Sequence, residues 1–354
     1  MRNIRKPASP FWRARIAGAL MTAMVTFAAA CGAHAAEQVL RFGVYIPGRT
    51  ITVREAMAPW AEDVSAASNG TLKIKLYSGG ALGRNSKLQY WLMKQGVVDI
   101  AWMLPSETAN RFPATDFFEI PLETADPMEM SVAFWRLYER GYLKGFDDIK
   151  PLALYVSPPY RFHLKFPYKD SDSLKGRKIR TVTHLQARLM KKAGATPVGG
   201  VSTTQVAESL SRGMIEGALF SWHGVKAVGI MQATDTHVDQ PITFAPAIVA
   251  MNRDVYDSLT PDARAAIDAL SGEPLVRRLV EVMNGQAERV MTAAKRDPTR
   301  HFVESDPDEA DVWRARFEDA AEEWRARSPD HDALIIHFKE ILEEIRAETR
   351  ESDA

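Results

Sequence analysis

Cysteine is nearly absent from this 354-residue chain, which contains a single one, Cys31. Catalytic signatures are missing as well: no GxSxG, HExxH or GxxxxGK[ST] pattern occurs, and no cysteine pair has metal-ligand spacing. The Gly-rich run SGGALG at residues 78–83 lacks the spacing of a dinucleotide-binding loop, and the histidines are scattered. We therefore expect no catalytic residues, no metal site and no cofactor.

A charge excess of one sign is also missing, because 45 Lys and Arg residues balance 45 Asp and Glu residues. Five of the basic residues and none of the acidic ones fall within residues 1–35, so the rest of the chain is mildly acidic. Such a surface gives no support for nucleic-acid binding. After residue 35 no apolar run reaches eighteen residues, and we expect no membrane-spanning helix there.

Residues 1–35 have the three parts of a secretory signal peptide. Basic residues come first, an apolar run extends from Ile16 to Ala30, and the small-residue sequence Ala33-His34-Ala35 follows. The apolar run is too short to span a membrane as a mature helix. We expect cleavage after Ala35 and export to the periplasm, with loss of Cys31. A lipid anchor at Cys31 is the alternative, although Ala28 stands where such sites usually have leucine.

The second half of the chain contains a predicted strand–helix–strand–helix–strand unit. Its strands are expected at Lys178–Val182, Thr196–Val201 and Met214–Phe220. Thr183 is the expected N-cap of the first helix, and Gly194 is its left-handed C-terminal residue. Ser202 and Gln205 form a capping-box pattern at the second helix. Right-handed crossovers place the carboxyl ends of all three strands at one edge, where open α/β sheets bind ligands.

The first half of the chain repeats this plan. Its strands are expected at Val39–Val44, Leu72–Tyr77 and Val98–Met103. The segments KQGVVDIAW and SRGMIEGALF share an order of helix end, glycine, two apolar residues, acid and strand. Two βαβαβ units predict an α/β protein with two similar lobes that face each other across a cleft. One large doubly wound sheet is the alternative.

The remaining segments are expected to connect and cover the lobes. An apolar strand at Pro241–Ala250 crosses back toward the first lobe, and a long helix begins at Pro274 and ends near Arg296. From Asp308 onward the chain is charged and helical, and its Leu/Ile/Phe stripe is expected to pack on the second lobe. We assign residues 36–158 and 246–286 to lobe I, and residues 159–245 and 287–354 to lobe II.

A series of segments resembles the solute-binding subunits of TRAP transporters (DctP type), in the order found in that family. They are LRFGVYIPG, SNGTLKIKLYSGGALG, QGVVDIAW, FFEIPLE, LKGRKIR, KAGATPV, LSRGMIEG and MNRDVYDSLTPDAR. The resemblance implies a periplasmic-binding-protein-like clamshell whose lobes are joined by crossing strands and a long hinge helix. It also implies a monomeric receptor that captures a small organic acid and delivers it to large and small membrane subunits, which are driven by an ion gradient.

Two arginines are candidate contacts for the acid. Arg180 ends the first strand of the second unit, and the resemblance implies that it forms a two-pronged salt bridge with the ligand carboxylate. A guanidinium fork matches a carboxylate plane; the structural alternative is an ion pair with an acid across the sheet. Arg161 occupies the place of a second cleft arginine in sialic-acid-binding relatives. Its neighbours Tyr160 and His163 alternate around it, so either face of the strand can point inward.

Aromatic residues indicate the class of ligand. Phe220 departs from the resemblance, because many relatives have an asparagine there that holds a polar ligand. Trp222 stands beside it, Trp102 lies on the matching strand of the first lobe, and Tyr45 follows the first strand. Together these aromatic residues predict an aromatic wall of the cleft. Apolar walls around an arginine favour a monocarboxylate with an apolar or aromatic body over a sugar acid. The alternative is that these side chains fill the lobe cores.

Other classes of function remain to be weighed against the receptor interpretation. A secreted α/β hydrolase would use carboxylates in the same cleft, and Asp99 and Glu216 look like such a pair on paper. Each stands at the equivalent place before a strand in its own lobe, which is typical of a structural residue. The third possibility keeps the fold but presents the ligand to a membrane sensor.

Overall fold

The computed structural model describes residues 37–108, 111–121, 123–124 and 126–352; the predicted signal peptide and Cys31 lie outside these residues. Both sheets belong to a single compact unit that begins at Gln38. The strands are β1 (Gln38–Gly43), β2 (Leu72–Tyr77), β3 (Ile100–Met103), β4 (Ile149–Val156), β5 (Tyr160–Leu164), β6 (Lys178–Arg180), β7 (Thr196–Val198), β8 (Gly217–Ser221), β9 (Thr236–Thr243), β10 (Pro246–Asn252) and β11 (His301–Val303).

The α-helices pack against the strands of the two sheets and against one another. They are α1 (Ala58–Ala67), α2 (Gln89–Lys94), α3 (Pro127–Glu139), α4 (His184–Lys192), α5 (Val206–Ser211), α6 (Trp222–Val225), α7 (Ile230–Ala233), α8 (Arg253–Asp257), α9 (Pro261–Leu270), α10 (Glu273–Lys295), α11 (Pro307–Arg325) and α12 (Asp330–Ser352). A π-helical turn, Thr52–Met57, leads into α1, and short 3-10 turns occupy Ser86–Leu88, Pro105–Glu107, Thr115–Glu119, Ser171–Leu174 and Thr203–Gln205.

The two predicted βαβαβ units form the ends of two separate sheets. The five-stranded sheet of lobe I has the order β2-β1-β3-β10-β4, and the six-stranded sheet of lobe II has the order β11-β9-β5-β8-β6-β7. In each unit the first strand lies between the other two and pairs with them in parallel. The predicted two-lobed α/β fold is confirmed, and the single doubly wound sheet is excluded.

Asp99 and Glu216 perform the same structural task in the two lobes. Asp99, just before β3, accepts the backbone N–H of Arg41 at 2.7 Å and binds the Arg41 guanidinium at 2.8 Å and 2.9 Å. Glu216, just before β8, accepts the backbone N–H of Lys178 at 3.1 Å and pairs with Arg177 at 2.7 Å. Each acid therefore ties the third strand of its unit to the first. The two carboxylates thus have separate partners, one in each sheet.

Local signals set the ends of the elements around Arg180. Thr183 accepts a hydrogen bond from the backbone N–H of Gln186 at 3.1 Å and so caps α4. Gly194, at φ +76°, ends that helix in the left-handed conformation that glycine tolerates best. The capping box of Ser202 and Gln205 is present at the next turn. Because α4 begins directly after β6, Arg180 stands at the carboxyl edge of the sheet.

The lobes are joined by two strand crossings and by helix α10. The chain passes from β4 to β5 between Val156 and Tyr160, and from β9 to β10 between Thr243 and Pro246. The apolar stripe of α10 contacts both lobes. Leu275, Leu279 and Met283 lie in the core of lobe I, whereas Ala287, Val290 and Ala294 pack against α6 and β8 of lobe II.

The last helix differs from the expectation that the C-terminal region packs on lobe II. Helix α11 does so through Trp313 and Phe317. Helix α12 instead lies along α3 of lobe I, where it buries Leu334, Phe338, Ile341, Leu342 and Ile345. Ion pairs of Arg136 with Glu348 (2.7 Å), Arg140 with Glu344 (2.5 Å) and Arg346 with Glu129 (2.8 Å) add charge complementarity to that contact. The assignment of residues 330–352 to lobe II is therefore corrected.

Two features are absent from the described residues. No helix there has the length and apolar character needed to cross a membrane. No group of three or more His, Cys, Asp or Glu side chains in those residues is arranged to hold a metal ion.

Candidate functional site

A polar groove of about 890 Å³ separates the two lobes. Lobe I contributes Tyr45, residues 84–87 and the turn that contains Glu107, and lobe II contributes residues 180–184 and 199–204. Arg84 and Lys87 are exposed at its lobe I side, and Glu107 is the only acid among its lining residues. The lining therefore carries more positive than negative charge, which favours an anionic ligand.

Arg180 is the buried cation of the polar groove. The residue is 2% exposed, its Nε donates a hydrogen bond to the carbonyl oxygen of Val201 at 3.2 Å, and its Nη1 is buried without a hydrogen-bond partner. No carboxylate forms an ion pair with it within the described part of the chain. Burial lowers the pKa of the guanidinium, but a group with such a high ordinary pKa stays charged at neutral pH. A buried, unpaired cation is costly, and an incoming anion removes that cost.

Two tyrosine hydroxyls share the electrostatic field of Arg180. Burial raises the pKa of Tyr45 well above its usual range, and burial also raises the pKa of Tyr160, while the charge of Arg180 opposes both shifts. Both hydroxyls are therefore protonated and can donate hydrogen bonds. Neither hydroxyl forms a hydrogen bond with a described residue. Arg180 and these two hydroxyls supply the donors that a carboxylate requires.

A smaller aromatic chamber of about 80 Å³ adjoins the polar groove, and Tyr45 and Thr203 line both spaces. The rings of Tyr45 and Trp102 lie 5.1 Å apart, and the rings of Tyr160 and Phe220 stack at 5.6 Å. No Asp, Glu, Lys or Arg is among the residues that line the chamber. Such a surface accepts an apolar or aromatic body and offers no partner for a second charge.

Trp102 and His223 keep the aromatic chamber uncharged. Trp102 donates its indole N–H to the hydroxyl of Tyr155 at 2.7 Å, so its polar atom is satisfied within the wall. His223 also lines the chamber, and its Nδ1 lies 2.9 Å from the hydroxyl of Ser221. Burial lowers the pKa of His223 to about 4, which keeps the imidazole neutral at pH 7.

The structure places Arg161 outside both spaces. Its Nε lies 2.7 Å from a carboxylate oxygen of Asp239 on the neighbouring strand β9, and both side chains are largely buried. This is the ion pair across the sheet that was the alternative for Arg180. Because Asp239 occupies the guanidinium, the expectation of a ligand contact at Arg161 is corrected.

Trp222 is also placed elsewhere than expected. It is 1% exposed and belongs to the core of lobe II, where its ring packs against His163 and His237 at 4.8 Å and 5.2 Å and stacks on Phe302. Trp222 starts helix α6 directly after β8, so its side chain turns into the core behind the sheet edge. The core-filling alternative holds for Trp222, whereas Tyr45, Trp102 and Phe220 line the chamber.

Sequence reasoning missed several lining residues. Tyr160 was noted only as a neighbour of Arg161, although an aromatic residue at the start of a strand that enters the second lobe is a usable signal. His223 and Thr203 follow strands of lobe II on the cleft side, and Glu107 follows β3 at the corresponding edge of lobe I. Their shared signal in the sequence is a position after the carboxyl end of a strand, where open α/β sheets bind ligands.

A comparison with family models matches residues 42–344 to the bacterial extracellular solute-binding protein family 7 (DctP). The chain belongs to this family. Among curated proteins, it is similar to the outer membrane transporter protein TsaT of Comamonas testosteroni, with 25% identity over 261 residues, or 72% of this chain and 76% of that protein.

Two solved structures share the fold at comparable identity. One is a TRAP solute-binding protein from Rhodoferax ferrireducens in complex with copurified benzoate (TM-score 0.80, 26% identity, 90% of this chain and 100% of that one). The other is a marine metagenome TRAP solute-binding protein specific for aromatic acid ligands, in complex with 3-hydroxybenzoate (TM-score 0.80, 25% identity, 87% and 98%).

Membership of this family assigns the chain to a class of receptors rather than enzymes. It is the solute-binding subunit type of TRAP transporters, which is extracytoplasmic. Proteins of this type bind small organic acids and work with membrane subunits. The receptor interpretation is thereby confirmed over the hydrolase alternative.

Proposed function

We propose that this receptor captures a small monocarboxylate with an apolar or aromatic body. The observation that carries the proposal is the buried guanidinium of Arg180, which has no carboxylate partner among the described residues and lies against Phe220, a wall of the uncharged aromatic chamber. The ligands of the two similar structures, benzoate and 3-hydroxybenzoate, belong to the same chemical class and support it.

The contacts of Arg180 suggest how the acid is oriented. Its Nε already donates to the carbonyl oxygen of Val201, which leaves the two terminal nitrogens for the carboxylate. A two-pronged bond through these nitrogens places the carboxylate in the polar groove, within the field that also acts on Tyr45 and Tyr160. The body of the ligand then extends past Phe220 into the aromatic chamber.

The wider role of the chain is proposed on the same basis. The receptor acts as a monomer in the periplasm after cleavage of a signal peptide at Ala35, with a lipid anchor at Cys31 as the alternative. It delivers the acid to the small and large membrane subunits of a TRAP transporter, which are driven by an ion gradient. The chain itself is not expected to hydrolyse ATP.

Thermal unfolding and calorimetry of the chain from residue 36 onward test the ligand class. Benzoate, 3-hydroxybenzoate and mandelate are compared with glucuronate and sialic acid. A ligand at a hundred times its dissociation constant adds about 2.7 kcal/mol to the free energy of unfolding. We expect stabilisation by the aromatic acids and none by the sugar acids, and loss of the effect in Arg180→Met. A sugar acid as the tightest binder would contradict the proposal.

A further inference from the structure

Glu107 is an acid of the polar groove that has no partner within the described residues. It ends the 3-10 turn Pro105–Glu107, which follows β3 at the edge of lobe I. Its Oε2 is buried without a hydrogen-bond partner, and its carboxylate forms no ion pair with any described residue. Burying a carboxylate oxygen without a donor is unfavourable, so this atom requires a partner that the described residues do not supply.

Glu107 faces the same space as Arg180 from the opposite lobe. Both line the polar groove, together with Tyr45, yet they form no ion pair with each other. Glu107 is close enough to act on the proposed carboxylate site. Burial is the main reason for the raised pKa of Tyr45, and the charge of Glu107 is the next, while Glu107 also opposes the lowering of the Arg180 pKa by burial.

We infer that Glu107 accepts a hydrogen bond from a donor group on the bound acid. The preferred ligand is then a monocarboxylate that also bears a neutral hydroxyl or amino group. The inference rests on the proposed function and narrows its ligand class. A hydroxyl or amino group donates to the free Oε2 and satisfies it, and a hydrogen bond to a charged acceptor is among the stronger ones. An acid without a hydroxyl or amino group leaves Oε2 without a hydrogen-bond donor.

The same carboxylate disfavours a second carboxylate on the ligand. Two like charges at close range in a partly buried groove repel, and the aromatic chamber offers no cation to compensate. Arg84 and Lys87 line the groove, but both side chains are exposed to solvent, where their attraction is screened. Glu107 thus separates hydroxy and amino monocarboxylates from both simple monocarboxylates and dicarboxylates.

Calorimetry with pairs of acids that differ by one group tests this. Benzoate is compared with 2-, 3- and 4-hydroxybenzoate, phenylacetate with mandelate, and isophthalate serves as the dicarboxylate. For the wild-type chain we expect at least one hydroxylated acid to bind tenfold or more tightly than its unsubstituted counterpart, and isophthalate to bind more weakly than benzoate. These comparisons use the wild-type chain alone.

The isosteric variant Glu107→Gln removes the charge but keeps the shape. We expect it to reduce the preference for the hydroxylated acid at least fivefold and to bind isophthalate more tightly than the wild type does. Glu62→Gln is the matched control, because Glu62 is an exposed residue of α1 outside the groove, and it should change neither ratio.

The outcomes separate this inference from the proposed function. Binding of the aromatic acids with no preference for a hydroxyl, or with the same preference in Glu107→Gln, overturns the role of Glu107 and leaves the proposed function intact. Tight binding of isophthalate by the wild type overturns it as well. Failure of every aromatic acid to bind overturns the proposed function, and the inference with it.

Discussion

The guanidinium carbon of Arg180 lies 5.8 Å from the centre of the Phe220 ring. The cation therefore lies over the face of the aromatic side chain at the position where the family resemblance led us to expect asparagine. A ring face attracts a cation by about 0.5–2 kcal/mol, more when both are shielded from water. Phe220 thus compensates part of the buried charge and at the same time forms a wall of the aromatic chamber.

Replacement of Arg180 by lysine keeps the charge but removes the two-pronged geometry. Because a single ammonium cannot match both carboxylate oxygens in one plane, we expect Arg180→Lys to weaken binding of the preferred acid at least tenfold, or about 1.4 kcal/mol. Calorimetry measures the change. Arg161→Lys is the matched control, since Arg161 is held by Asp239 away from the groove, and it should leave affinity within threefold of wild type. An equal loss of affinity in both variants would contradict the assignment of Arg180 as the carboxylate contact.

Phe220→Asn restores the commoner family residue yet should weaken binding by roughly tenfold. The change removes apolar surface worth about 25 cal/mol per Å² of contact and places an amide in an uncharged chamber. Trp222→Phe alters a fully buried neighbour that does not line the chamber. It should lower the midpoint of thermal unfolding with little effect on affinity. The reverse pattern would show that Trp222, not Phe220, contacts the ligand.

The elements around the site could be predicted because their signals are local. The capping residues Thr183 and Ser202, and a glycine at φ +76° at position 194, act within a few residues along the chain. The repeated order of glycine, acid and strand likewise predicted two matching units. Arg180 could be placed at a sheet edge from these signals alone, because a helix begins immediately after its strand.

The errors concern residues whose environment depends on distant parts of the chain. Arg161 is paired by Asp239, which is 78 positions away and carries no signal in the sequence around Arg161. Trp222 and Phe220 are two residues apart, but α6 begins at Trp222 and turns its ring into the core. Helix α12 carries an apolar stripe with no local signal for either lobe, and its packing on lobe I depends on a distant apolar face and on the partners of Arg136 and Arg140.

Glu119 should make stability depend on pH in the opposite direction from an ordinary carboxylate. The side chain is 1% exposed, and it accepts a hydrogen bond from the hydroxyl of Thr183 at 2.6 Å. Burial raises the pKa of Glu119 to about 8, although the Thr183 bond opposes the shift. Between about pH 4.5 and 8 the folded chain therefore holds a proton at Glu119 that the unfolded chain has lost. The contribution of Glu119 to the free energy of unfolding falls as pH rises through this range.

Denaturant unfolding of the wild type and Glu119→Gln from pH 5 to pH 8 isolates this effect. Glutamine mimics the protonated carboxyl and cannot ionise. We expect the stability of the wild type relative to the variant to decrease with rising pH, by at most about 1.4 kcal/mol per pH unit. Other titrating groups are common to both proteins and cancel in the difference. Parallel pH profiles would mean that Glu119 is ionised in the folded state.

Closure of the lobes over the ligand should be visible in the release rate and the overall size. Arg49 of lobe I donates two hydrogen bonds, at 2.9 Å and 3.2 Å, to the carbonyl oxygen of Ala227 in lobe II, beside the chamber residues Thr50 and Val228. A bound acid that contacts both lobes favours the closed state, and the Arg49 bonds can form only in that state.

X-ray scattering should give a smaller radius of gyration with saturating ligand. In Arg49→Ala, stopped-flow tryptophan fluorescence should show several-fold faster release. Arg54→Ala should not, because Arg54 is exposed and its ion pair among the described residues is with Glu55. Identical radii with and without ligand would indicate a rigid cleft, and unchanged release in Arg49→Ala would remove Arg49 from the closing contact.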